Sequence, residues 1–213
     1  IRVAGPIRLG RAPEIRHEIL EFPGETLLEM VRDMNKYSNN FIAEQLTKAL
    51  GAERDGVPAS WRNGVAVLQD YLQRANLLDA STVIADGSGL SPRNRISPGA
   101  LTRLIRYAAA QPGSGPEFLA SLPLGGRDGT LEDRAFDPAA AVRGKTGHLR
   151  RVASLSGVMP SRRGLLAYAV LINGAPGGRV DVEAAIDAFV MQIAALPEVT
   201  PAEITLSGGS ASE

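Results

Sequence analysis

The sequence predicts an α/β protein of the α+β kind, an antiparallel sheet flanked by helices. Two observations predict it. Apolar residues recur at helical spacing from residue 26 through the middle of the chain, and three strand-length apolar runs separated by turn signals occupy most of the last third. The length of 213 residues, with 44% hydrophobic and 22% charged residues, fits one main globular core.

Residues 1 to 22 carry Gly5, Pro6, Gly10 and short apolar stretches, and the alternation His17-Glu18-Ile19-Leu20-Glu21-Phe22 suits strands and turns leading into the domain. From Thr26 the residues Leu27, Leu28, Met30, Val31 and Met34 have helical spacing. A second amphipathic run follows in Phe41, Ile42, Leu46 and Leu50. Ser38 and Asn40 therefore sit at a junction between two helices, with Ser38 or Asn39 as its N-cap. Trp61 to Ala75 is expected to be a third helix. Val83-Ile84-Ala85 leads into the turn-rich Asp86-Gly87-Ser88-Gly89-Leu90-Ser91-Pro92, and Pro98 to Gln111 resumes as helix with proline at its start.

Leu122 to Arg134, with Gly125, Gly126 and Gly129, reads as a long surface loop. Ala141 to Lys145, Ala153 to Met159 and Leu165 to Ile172 are the three apolar runs, most simply an antiparallel meander. A helix from Val180 to Ala195 follows, and residues 200 to 213 read as a flexible tail.

Several chemistries are excluded or disfavoured. Lys+Arg and Asp+Glu are both 23, so the charge balance is zero and no basic footprint points to nucleic acid. There is no cysteine, which removes disulfides and thiol catalysis, and no apolar run is long enough to span a membrane. His17 and His148 are the only histidines, and neither has a second histidine at metal-ligand spacing, so no metal or cofactor is expected. Gly144-Lys145-Thr146 lacks the upstream glycine of a phosphate loop, with Ala139 in its place. No serine stands in a Gly-X-Ser-X-Gly elbow. Only three basic residues are lysines, Lys36, Lys48 and Lys145, and lysine is the cation that gives up a proton when buried.

The remaining candidates fit together. Ser38-Asn39-Asn40 at a helix junction and Lys145-Thr146-Gly147 at the end of a predicted strand reproduce the S-X-N and K-T-G pair that accompanies S-X-X-K in penicillin-binding proteins and class A β-lactamases. Either tripeptide alone is a weak signal: the first is far more often a helix cap or turn, and the second reads as a strand end with a solvated lysine. The segment Asp33 to Leu46 resembles the S-X-N region of the D-alanyl-D-alanine carboxypeptidase/endopeptidase family of low-molecular-weight penicillin-binding proteins. Asp86 to Ser91, Leu122 to Leu131 and Gly144 to Leu149 are similar to three further signatures of that family, in its order, and the resemblance spans roughly Glu18 to Ile193.

The resemblance implies a β-lactamase/transpeptidase-like fold, incomplete in this chain, with residues 1–14 as the end of an inserted domain and 15–199 as the C-terminal part of the catalytic domain. It also implies a serine peptidase that acts on peptidoglycan stem peptides, is inhibited by β-lactam antibiotics and is periplasmic or exported. No serine here has a lysine three positions later, so the nucleophile is expected in a missing N-terminal part of the same protein. By resemblance, Ser38 relays a proton to the leaving amine and Asn40 orients the substrate amide. Lys145 supplies positive charge beside Ser38, and the Thr146 hydroxyl holds the substrate carboxylate. Gly147 leaves room for an extended peptide, and the His148 N–H is an oxyanion donor.

Two residues depart from the family pattern. His148 follows K-T-G where Ser or Thr is common, and Pro92 follows Gly-Leu-Ser where Arg is frequent. Asp86, Ser88 and Asp128 are read as loop-shaping residues. Two other readings remain open: a β-lactamase or esterase on the same scaffold, and a peptidoglycan-binding homologue without catalysis.

Overall fold

The computed structural model describes residues 5–6, 8–11, 17–137, 140–161, 164–174 and 178–195. The expected tail, residues 200–213, lies outside the described residues, as does most of the segment 1–14. Within them, five helices precede a three-stranded antiparallel sheet and a sixth helix closes the order.

Local chemistry sets each helix start. Thr26 caps α1 (Leu27–Tyr37) in a reciprocal box, its hydroxyl accepting from the Glu29 N–H while the Glu29 carboxylate accepts from its own N–H. The Asn39 side chain caps α2 (Asn40–Asp55) by accepting from the Ile42 N–H. Ser60 caps α3 (Trp61–Arg74) in the same way, and Ser97 with Pro98 opens α4 (Pro98–Ala109). A short α5 (Gly115–Ser121) follows. The pair α2 and α3 is packed backbone to backbone: a Cβ at Gly64 would fall 1.9 Å from the Thr47 carbonyl oxygen, so only glycine lets the helices meet there.

The sheet runs β1 (Arg143–Leu149), β2 (Val152–Ser161), β3 (Gly164–Asn173) in that order, both pairings antiparallel. The meander is as expected, but β1 starts later and runs further, so Lys145, Thr146 and Gly147 lie inside the strand and not at its end. Alternation gives the sheet two faces. Ala153, Leu155, Met159 and Tyr168 face α6 (Arg179–Ala195) and join Ile186, Val190, Leu131, Phe136 and Val142 in the buried core. Val158 and Ala167 lie on the opposite face, against which α4 packs.

Two expectations are corrected. Residues 17–22 form no strand; Ile19 and Phe22 stand 97% and 85% exposed, because nothing among the described residues pairs with them. The segment Leu122–Arg134 is not a surface loop. Leu122, Pro123 and Leu131 are buried, a 3-10 turn forms at Gly129–Leu131, and the chain is pinned to the start of β1 and the residue before it by bonds from Gly144 N to Pro123 O and from Gly125 N to Val142 O. Its glycines serve close packing: a Cβ at Gly125 would strike the Phe136 side chain at 2.8 Å.

Candidate active site

The site begins with a backbone turn. Ser38 closes α1 as its C-cap with φ 55° and ψ 47°, in the left-handed region that costs a serine on the order of 1 kcal/mol. The N-cap of α2 is therefore Asn39, and Ser38 is the reversal between the two helices. That turn carries the Ser38 hydroxyl toward β1, where Lys145 Nζ donates to Ser38 Oγ at 2.8 Å across 107 residues of sequence.

Lys145 also donates to the Thr146 carbonyl oxygen at 3.0 Å. No carboxylate pairs with it among the described residues. Burial in this setting lowers its ammonium to about 8, since the low-polarity surroundings penalise the charged form. The group is thus still mainly protonated at neutral pH, and its charge is paired with no carboxylate among the described residues. That is a suitable seat for an anionic ligand.

Thr146 stands next to Lys145 on β1, and its Oγ1 lies 3.0 Å from Thr130 Oγ1 of the 3-10 turn. Gly147 pairs with Ser154, and a Cβ there would fall 2.4 Å from Ser154 Oγ. A side chain at this position would make the Ser154 hydroxyl turn away, and it would also narrow the approach of a peptide to the strand. By alternation His148 shares the Thr146 face, and its Nδ1 lies 3.2 Å from Glu183 Oε1 of α6. The same carboxylate oxygen is 3.7 Å from Arg134 Nη1, and Arg134 forks onto Asp187 with two 2.6 Å bonds. His148 is exposed to solvent while lying in contact with Glu183.

Asn40 opens α2 on the far side of the junction. It lines a cavity of about 590 Å³ with Phe41, Glu44, Trp61, Asp86 and Leu90. Asp86 shapes the loop beneath it by accepting from the N–H groups of Gly89 and Ser91 and from the Asn94 amide. Glu44 accepts from the Ser88 N–H, fixing that loop to α2.

The structure thus brings the side chains of Ser38 and Lys145 together and that of Thr146 to Thr130, sets Asn40 at a cavity that Ser38, Lys145 and Thr146 do not line, and places His148 against Glu183 of α6. Sequence reasoning assigned no role to Thr130, Lys36, Arg134 or Glu183. Lys36 donates to both carboxylate oxygens of Asp128 at 2.8 and 2.7 Å and to the Leu122 carbonyl oxygen at 2.8 Å. Burial works against the Asp128 anion, yet the bonds from Lys36 and the Leu124 N–H outweigh it and hold the carboxyl below its usual range. The scarcity of lysine was the one sequence signal for Lys36. For Glu183 and Arg134 there was none, since their partners are distant in sequence.

Comparison with known proteins adds an independent line. A model of the D-Ala-D-Ala carboxypeptidase 3 (S13) family matches residues 1–196. A D-alanyl-D-alanine carboxypeptidase from an Actinomadura species is 32% identical over 187 residues, covering 83% of this chain and 34% of that protein. The crystal structure of penicillin-binding protein 4 (DacB) from Haemophilus influenzae matches with a TM-score of 0.69 at 27% identity, over 78% of this chain and 39% of that one. The same protein complexed with a β-lactam matches at 0.66, with 28% identity, over 76% and 41%. The TLA-1 extended-spectrum β-lactamase shares the fold alone, with a TM-score of 0.61 at 13% identity over 79% of this chain and 63% of that one. The chain spans 34% to 39% of the length of the first two proteins.

Proposed function

Because the chain belongs to the D-Ala-D-Ala carboxypeptidase 3 (S13) family, we propose that it is the C-terminal part of the catalytic domain of a serine-type D-Ala-D-Ala carboxypeptidase/endopeptidase. Its substrate is the peptidoglycan stem peptide, its place is the periplasm or another exported location, and β-lactams are its inhibitors. The nucleophilic serine belongs to an S-X-X-K segment of the complete protein, outside these residues.

The observation that carries this reading is the 2.8 Å contact between Lys145 Nζ and Ser38 Oγ, next to Thr146. With Lys145 donating to its oxygen, Ser38 keeps its own O–H for another acceptor. In the reaction the nucleophilic hydroxyl adds to the carbonyl between the two terminal D-alanines, losing its proton to the S-X-X-K lysine. The His148 N–H is one donor to the oxyanion. As the C–N bond breaks, Ser38 gives its proton to the leaving amine and is reprotonated from that lysine. D-Alanine departs and a serine ester remains; water then cleaves it and restores the hydroxyl. Lys145 and Thr146 hold the free C-terminal carboxylate, and Asn40 orients the preceding amide.

The test is release of D-alanine from an acyl-D-Ala-D-Ala peptide by the complete protein. Release that falls by about a hundredfold or more in both Ser38→Ala and Lys145→Ala supports the reading, a size typical of losing one positioned proton-transfer or anion-binding group. No release by the parent protein refutes it.

A further inference from the structure

Three hydrogen-bonded ties close a ring around the site. Ser38 joins Lys145, Thr146 joins Thr130, and Asp128, two residues before Thr130, joins Lys36, two residues before Ser38. We propose that the Asp128–Thr130 turn is a two-sided positioning element: Asp128 sets Ser38 through Lys36, and Thr130 sets the hydroxyl proton of Thr146. This inference rests on the proposed function.

On the Asp128 side, all three donors of the Lys36 ammonium are engaged, two by Asp128 and one by the Leu122 carbonyl oxygen, and the side chain is only 11% exposed. Lys36 sits in the last turn of α1, so holding it holds the left-handed turn at Ser38. The contact is backbone-close: Gly129 has φ +58°, and a Cβ on it would lie 2.5 Å from the Lys36 carbonyl oxygen. Asp128 also accepts from the Leu124 N–H, and the bridge between Leu124 and Arg143 anchors this segment to the strand that carries Lys145. Asp128 thereby fixes the distance between Ser38 and Lys145 from both ends.

On the Thr130 side, one proton occupies the contact between two hydroxyl oxygens 3.0 Å apart. Hydroxyl protons turn to suit their surroundings. A bound carboxylate offers acceptors only, so it draws the Thr146 proton to itself, and Thr130 then donates into the shared contact. Thr130 is what allows Thr146 to keep two hydrogen bonds when substrate is present.

The two arms have different kinetic signatures in the complete protein, read as D-alanine release. Asp128→Asn is expected to lower kcat about tenfold with KM changed by less than about twofold, because Ser38 moves a proton only as the bond breaks. Thr130→Val is expected to raise KM about tenfold with kcat little changed, because Thr146 binds the carboxylate in both ground and transition states. Thr130→Ser keeps the hydroxyl and is expected to keep the parent KM, whatever the folding yield of the valine variant. Asp128→Asn should add no loss in a Ser38→Ala background, nor Thr130→Val in a Thr146→Val background. Additive losses in those backgrounds, absence of any effect, or kcat and KM moving together with a drop in melting temperature would each overturn the inference. A parent protein that releases no D-alanine would instead refute the functional reading beneath it.

Discussion

Lys145 Nζ and Ser38 Oγ meet at 2.8 Å because a left-handed residue ends α1 and a strand begins two residues before Lys145. The contact leaves the serine proton available, and among the described residues no carboxylate pairs with the ammonium. Each residue should therefore matter through the other. In the complete protein, acylation by benzylpenicillin is expected to fall by about 10² or more in Ser38→Ala and in Lys145→Met, and the double variant should fall no further than the worse single one. Stopped-flow acylation rates check this, and multiplicative losses would mean that the two act independently.

Burial lowers the Lys145 ammonium to about 8, which gives a pH window for both binding and stability. As pH rises through about 8 the ammonium is lost, so KM for a substrate with a free carboxylate should rise toward pH 9 and 10. Lys145→Arg, which stays charged, should flatten that limb. The stability sign is opposite. Between about 8 and the ordinary lysine value of 10.5 the unfolded chain binds the proton that the folded one has released, so this group's contribution to stability rises with pH there. The ceiling is about 3 kcal/mol, from about 1.4 kcal/mol per pH unit. Urea titrations of the parent and Lys145→Met at pH 7.5 and 10 measure the difference.

The motif positions were legible in the sequence, and so was most of the secondary structure, because helical and strand periodicities are local. What the sequence did not reveal was long-range chemistry. Thr130 and Asp128 lie in a glycine-rich stretch that reads as exposed, whereas Leu131 at 0% exposure anchors that stretch in the core. The ties from Lys36 to Asp128 and from His148 to Glu183 join residues whose local context carries no sign of their partners. Residues 17–22 erred the other way: alternation alone suggested strand, but a strand needs a neighbour to pair with.

The buried ion pair at the back of the sheet supports the same region. Asp187 is 5% exposed and takes both bonds of the Arg134 fork. Asp187→Ala removes both short bonds of the Arg134 fork and leaves the guanidinium with the more distant Glu183 carboxylate at 3.7 Å, so a loss of about 2–3 kcal/mol is expected. Denaturant unfolding measures it; a change below about 1 kcal/mol would show that Arg134 finds water instead.

Exposed apolar side chains are the other physical consequence of the fold among the described residues. α1 has no buried residue, and Leu27, Leu28 and Phe41 are exposed, as are Ile19, Leu20 and Phe22. Residues 1–213 made alone are expected to self-associate and to bind a hydrophobic dye, and co-expression with the rest of the complete protein should suppress both. Sedimentation velocity and dye fluorescence measure this, and a monodisperse, cooperatively melting monomer contradicts it.

Covalent labelling with a fluorescent penicillin, followed by peptide mapping, tests most directly the claim that this chain holds the proton-moving and carboxylate-binding half of an acyl-enzyme site. The complete protein is predicted to carry the label on a serine outside residues 1–213, and this chain by itself is predicted to carry none. Label on Ser38, or on any other serine of this chain, would contradict the account.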